Sequence, residues 1–190
     1  MPEAPSGLPL FAGVDPSSRE DVPTACCALS ADGQVLDLSW ARGNEEIARW
    51  LEGLGSVASV GLDGPLRLPR GLSPEQFFGA DSEERRLRRR AELELAKRGI
   101  GCFFTTPRSF LRGWVERCLA LGELLRGLGF AVLEVYPYAT RRILWGTPRG
   151  VKKGWRSVRA SELKLLRRMG VRWELEGFRV TTKSTPSCVR

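Results

Sequence analysis

Three apolar runs each deliver one acid to a place where an acid is costly. They are Asp15 at the end of LPLFAGVD, Asp63 at the end of VASVGLD and Glu134 inside FAVLEVYP. A carboxylate at the edge of a sheet core loses hydration that apolar neighbours do not replace, so it needs a cation, a donor or a proton. Three of them converging on one spot repel each other and raise each other's pKa unless a metal ion lies between them. The chemistry such a cluster serves is phosphoryl transfer assisted by magnesium or manganese (Mg2+ or Mn2+). Any one acid alone also reads as a strand end facing water; three in the same context favour the site. The chain has no histidine. That excludes Ser-His-Asp and Cys-His nucleophilic sites and the usual zinc ligand, leaving a hard, oxygen-liganded ion as the expected metal.

The elements that must position these acids are legible in the pattern. An apolar run over residues 8–14 closes at Asp15-Pro16-Ser17-Ser18, a turn signal. Residues 24–29 and 35–40 flank Ala31-Asp32-Gly33 and predict a hairpin; Leu36, Leu38 and Trp40 alternate with Asp37 and Ser39. Asn44 is placed to cap a helix with Ile47, Trp50, Leu51 and Leu54 on one stripe, stopped by Gly55. Residues 57–62 predict a buried parallel strand. Ser73-Pro74-Glu75-Gln76 starts a short helix, and a charged helix is expected from Asp81 or Ser82 to Arg98. Leu111, Trp114, Val115, Cys118, Leu121 and Leu125 mark a further helix. Residues 130–136 predict the last strand, broken by Pro137; a loop through Gly146 to Gly154 carries Lys152 and Lys153, and Ser161 caps a helix ending at Gly170.

Length and charge bound the rest. At 190 residues the chain suits one domain with a proper core, expected over 1–180 with an irregular tail at 181–190. No run reaches the roughly 18 apolar residues that span a bilayer, and the N-terminus has no signal-like pattern, so a cytoplasmic location and no membrane partner are expected. Five cysteines without a CxxC pair fit reduced thiols. The net charge is +8, and between Arg141 and Arg172 eleven basic residues face one acid, Glu162. That concentration favours a polyanionic partner, most simply nucleic acid, with Arg141, Arg142, Lys152 and Lys153 as candidate contacts.

The fold class expected from this order is α/β, a mixed sheet with an antiparallel hairpin and parallel strands flanked by helices. GVD (13–15), LDGPLRLP (62–69), RRAELELAKRGI (89–100) and EVYP (134–137) resemble, in that order and spacing, a family of predicted ribonuclease H-like nucleases, domain of unknown function 429. The resemblance covers residues 8–178. It implies a ribonuclease H-like sheet, a metal site at Asp15, Asp63 and Glu134, and roles for Arg89, Glu92 and a lysine after the EVYP strand, Lys152 or Lys153. Two-metal hydrolysis of a phosphodiester is the implied reaction. Carboxylates would hold two ions roughly 4 Å apart, one activating water and one steadying the leaving oxygen, while Lys152 or Lys153 would neutralise charge on the phosphate. Arg89 is a candidate nucleic-acid contact; a mutual Arg89–Glu92 pair that positions the helix is the plainer role for both.

Members of that family end in a helix whose Asp-Ala pair completes the metal site, whereas this chain ends TTKSTPSCVR with no acid after Glu176. The expectation is a final helix that is missing or abnormal. Back-translated with G or C favoured in third positions and read two nucleotides out of phase, the tail gives His-Glu-Val-Asp-Ala-Leu-Leu-Cys-Ala, with the Asp drawn from the Ser184 and Thr185 codons. A frameshifted tail would therefore lower both stability and activity. Two other functions compete with a nuclease: a non-catalytic nucleic-acid-binding module of the same fold, and a sugar- or nucleotide-binding ATPase, which wants glycine-rich phosphate loops not present here. Resequencing the gene's 3′ end tests the frameshift; an alternative frame that stops within a few codons or lacks apolar periodicity would end that idea.

Overall fold

Leu10–Asp15 (β1) alternates buried and exposed residues along its whole length, the pattern of a strand with one covered face. The structure, a computed structural model, describes residues 9–79, 88–107, 109–146 and 155–173, with the backbone alone for 155–161. β1 pairs antiparallel with Thr24–Ser30 (β2), which pairs antiparallel with Val35–Ala41 (β3). On its other side β1 runs parallel to Val57–Asp63 (β4), itself parallel to Val132–Val135 (β5). The five-stranded mixed sheet has the order β3-β2-β1-β4-β5. The hairpin turns where expected: Gly33 adopts φ +89°, a conformation that glycine reaches without Cβ strain, and its N–H donates to the Ser30 carbonyl at 2.9 Å.

Two helices cover one face of the sheet. Gly43–Gly53 (α1) contributes Ile47, Ala48 and Leu51, and Arg112–Gly127 (α4) contributes Cys118, Leu121 and Leu125. These pack on Ala12, Val14, Val60 and Leu62 in one core cluster. Asn44 is not the cap of α1. The N-cap is Arg42, whose backbone N–H is taken at 2.7 Å by Glu46 Oε2, while Asn44 Oδ1 accepts from Arg117 Nε. On β3 the apolar alternation points away from α1: Leu38 and Trp40 are exposed, and Asp37 Oδ2 accepts the Trp50 indole N–H at 2.7 Å. A polar partner on α1 thus decides which side of β3 turns inward. Phe11, Leu38, Trp40, Leu133 and Val135 leave apolar surface on the sheet.

The remaining described elements are four helices. Pro74–Phe78 (α2) begins with the expected Ser73/Gln76 capping box and buries Phe77 against Val115 and Leu72. Arg90–Lys97 (α3) starts later than expected, because Arg89 holds the extended N-cap conformation; residues 81–87 of that expectation lie outside the described residues. Pro137–Trp145 (α5) fills a stretch for which the sequence pattern predicted no element. Pro137 starts a helix there, since its fixed φ and missing N–H cost nothing in a first turn. Trp155–Arg168 (α6) begins six residues before Ser161. Beyond its end the Arg172 N–H donates to the Gly33 carbonyl at 2.8 Å, and the Arg172 carbonyl accepts from Val35 N–H at 2.8 Å, docking the segment on the hairpin. The tail 181–190 lies outside the described residues.

Gly64 shows how tightly the site end of this core is packed. A Cβ added there would meet Cys118 Sγ at 2.4 Å and Trp114 at 3.2 Å. Gly64→Ala should cost about 1–3 kcal/mol in urea unfolding. Cys118→Ala should recover part of that cost, and simple additivity of the two losses would place the strain elsewhere.

Candidate active site

Parallel pairing sets the first two acids side by side. Val14 of β1 is in register with Leu62 of β4, so Asp15 and Asp63, each one residue further, close adjacent strands at their carboxyl ends. The carboxyl ends of parallel strands, where β1 has an antiparallel neighbour on one side and a parallel one on the other, are where open α/β sheets form crevices. Burial raises the pKa of Asp15. Burial, reinforced by the charge of Asp15, pushes Asp63 up to about 6. Among the described residues neither carboxylate takes part in an ion pair.

Glu134 is held differently. The β4–β5 register pairs it with Leu62, so the pleat assigns it to the row of core-facing Val14 and Leu62, alternate to that of Asp15 and Asp63. Its Oε2 accepts the Leu66 N–H at 2.9 Å, and its Oε1 accepts a short charge-assisted bond from Arg89 Nη2. Arg89 Nη1 also lies 3.6 Å from Glu92, so one guanidinium bridges two carboxylates with only 12% of its side chain exposed. The mutual Arg89–Glu92 pairing therefore exists, and Glu134 joins it. Asp63, Arg89, Glu92, Glu134 and Tyr136 line one cavity of about 90 Å³. A larger cavity of about 510 Å³, between β5, α5 and α6, contains none of the three predicted acids.

Helix α4 supplies the floor of the site. Trp114 Nε1 donates to the Pro16 carbonyl at 3.0 Å, just after Asp15, and Cys118 packs under Gly64, just after Asp63. Between them Arg117, only 5% exposed, reaches the Ser17 and Arg19 carbonyls, Ser17 Oγ and Thr24 Oγ1 at 2.7–3.2 Å. The loop that follows Asp15 is thus tied to a helix that also touches β4. Burial pushes the Cys118 thiol up to about 12; Arg117 draws it down, and Asp63, Glu134 and Asp15 each add to the rise. All three acids therefore act on one sulfur, although only two share a row. The sequence does not single out Arg117, because its partners lie about 100 residues away; its one local signal is an arginine three residues after Trp114, beside a core stripe.

The remaining predicted residues fall as follows. Arg141 pairs with Glu162, and both Arg141 and Arg142 lie over the Tyr138 ring, at 5.3 and 5.9 Å. Tyr138 in turn lies 5.8 Å from Tyr136 of the smaller cavity. Lys152 and Lys153 lie outside the described residues. Among the described residues, no group of three or more acidic, cysteine or histidine side chains is spaced to hold a metal ion. The donors present still fit a hard cation, because Asp15 and Asp63 are neighbouring carboxylates, their pKa values raised by burial, that have no positive partner among the described residues. Glu134 does not fit while Arg89 holds it.

No family model, curated protein or solved structure matches the chain. The resemblance carried by the four short motifs therefore stands on those motifs alone. No described helix is long and apolar enough to cross a membrane.

Asp63 binds its proton more tightly in the folded chain than in the unfolded one. Its contribution to stability is thus complete below its ordinary value of 3.8 and is lost as pH rises through about 6. The size is about 1–2 kcal/mol once solvent screening of a half-exposed group is allowed for. Asp63→Asn should be more stable than the parent at pH 8 by that amount and equal to it near pH 4. Asp15→Asn should lower the Asp63 titration midpoint measured by carboxyl NMR. A pH-independent difference between Asp63→Asn and the parent would show that the Asp63 charge is not the cost.

Proposed function

We propose that the chain is a metal-dependent phosphodiester hydrolase acting on nucleic acid, built on a ribonuclease H-like sheet. The observation that carries this reading is the Asp15–Asp63 pair: two carboxylates closing adjacent parallel strands, Asp15 exposed and Asp63 partly buried, with the Asp63 pKa raised to about 6 by burial and by the charge of Asp15. Evolutionarily neutral strand ends do not need that cost, whereas a divalent-ion site does. The strand order, with an antiparallel hairpin on one side of β1 and parallel strands on the other, accords with a ribonuclease H-like layout. The GVD, LDGPLRLP and EVYP motifs meet at its carboxyl end.

In this reading Asp15 and Asp63 hold magnesium or manganese, which when bound supplies an activated water and neutralises phosphate charge. Glu134 fixes Arg89 at the cavity wall, where the guanidinium faces a phosphate oxygen. Lys152 and Lys153 add further charge for the strand, with Arg141 and Arg142 beside Tyr138 extending the basic surface away from the cavity. A second reading, a non-catalytic nucleic-acid-binding module, is favoured by one observation: Arg89 ties up Glu134 and leaves two free acids rather than three.

Divalent-ion titration separates the two. Magnesium or manganese should raise Tm, and Asp15→Asn or Asp63→Asn should abolish the rise. Either ion should also support cutting of DNA or RNA that Asp15→Asn lowers at least a hundredfold. Binding that weakens steeply with salt, with no ion-dependent Tm shift and no cleavage in either metal, would establish the module instead. Lys152→Ala/Lys153→Ala should weaken binding at low salt in both cases.

A further inference from the structure

Phe103 and Phe110 are the two most exposed large hydrophobic side chains among the described residues, at 67% and 81%. They lie together, ring centroids 5.5 Å apart and nearly perpendicular at 88°, so each braces the other while ring faces stay open to solvent. Phe103 is also part of the wall of the cavity that holds Asp63, Arg89 and Glu134.

The loop that presents them is fixed to the site. Cys102 Sγ contacts the Glu92 carbonyl at 3.8 Å, and the Thr105 N–H and Oγ1 donate to the Glu92 carboxylate at 3.1 and 2.5 Å. Tyr136 Oη donates to the Gly101 carbonyl at 2.9 Å. Phe103 thus stands between anchors on either side, and both anchors lead to residues that flank Arg89 or Glu134. The neighbouring Phe104 ring carries the Arg88 guanidinium 4.4 Å from its centroid. Residues 101–112 contain no acid. Open apolar rings on a segment without acids, with the Arg88 guanidinium beside them and Arg89 in the adjoining cavity wall, match a nucleic-acid strand better than an acidic or neutral peptide.

We propose that Phe103 and Phe110 form a stacking platform for an unpaired base whose adjoining phosphate enters the Asp63–Arg89–Glu134 cavity. The inference rests on the nucleic-acid reading above and adds to it a preference for single strands or unpaired ends. At about 90 Å³ the cavity admits a small, phosphate-sized group while the base remains outside. A base in a duplex has its faces covered by its neighbours and cannot meet the rings.

The test uses a single-stranded oligonucleotide carrying one 2-aminopurine, and the same oligonucleotide as a duplex, at low salt with EDTA so that nothing is cut. The parent protein should bind the single strand at least tenfold more tightly than the duplex and quench the 2-aminopurine. Phe103→Ala and Phe110→Ala should each weaken single-strand binding by about tenfold and relieve the quench. Phe103→Tyr should keep both, and because the rings are exposed the Tm of every variant should stay close to that of the parent. Unchanged Kd and quench in the double alanine variant, with the parent still binding nucleic acid, would overturn the platform and leave the proposed function standing. A parent that binds neither form would overturn both.

Discussion

The parallel register of β1 and β4 is the constraint on which the site depends. It puts the last residues of both strands at one level, and both are aspartates. Their proximity costs free energy that the surrounding apolar core does not return, since Val14 and Leu62, the residues just before them, are almost fully buried. The fold must therefore hold the pair in place from outside. It does so through α4, where Trp114 secures the chain after Asp15, Cys118 packs beneath Gly64, and Arg117 ties down the loop to β2. Without that support the loop after Asp15 would be free to carry its carboxylate away from Asp63, and the part of the Asp63 shift that Asp15 adds to burial would relax.

Glu134 answers the same problem in the opposite way. Placed one register step short of the aspartate pair, it is neutralised by Arg89 and by the Leu66 N–H. Arg89 is itself shared with Glu92, whose carboxylate also receives the N–H and hydroxyl of Thr105. One ion-pair network therefore couples β5, the start of α3 and the 102–105 loop. Such a network costs desolvation, and breaking one partner leaves a stranded charge, so it specifies a geometry more than it adds stability. The geometry it specifies is that of a cavity wall, with a guanidinium on one side and Asp63 on the other.

Much of this frame was legible in the sequence. An apolar run closed by Asp15 and Pro16 located β1, the Asp-Gly turn and the alternation over 35–40 located β2 and β3, and the short apolar run before Asp63 marked a buried parallel strand. What was not legible depended on partners distant in the chain. The inward side of β3 is decided by the Trp50 indole meeting Asp37, which alternation alone cannot foresee. The separation of Glu134 from the other two acids depends on a register between β4 and β5, and no spacing along the chain encodes it. Helix α5 was missed for a local reason: Pro137 is equally a strand stop and a helix start, and only the following Ala139 packing inward decides between them.

The two kinds of acid also bear on how a phosphate would be received. A carboxylate already paired with arginine is no longer a net repulsion to an approaching anion, whereas an unpaired one is. On the Glu134 side the cavity therefore presents Arg89 as its nearest charge, while on the Asp63 side it presents negative charge seeking a counter-ion. A phosphodiester entering alone would meet attraction at one wall and repulsion at the other. Charge is therefore sorted across the cavity, with the guanidinium on one wall and an unpaired carboxylate on the other, so that an anion and a cation would be drawn to different walls of it.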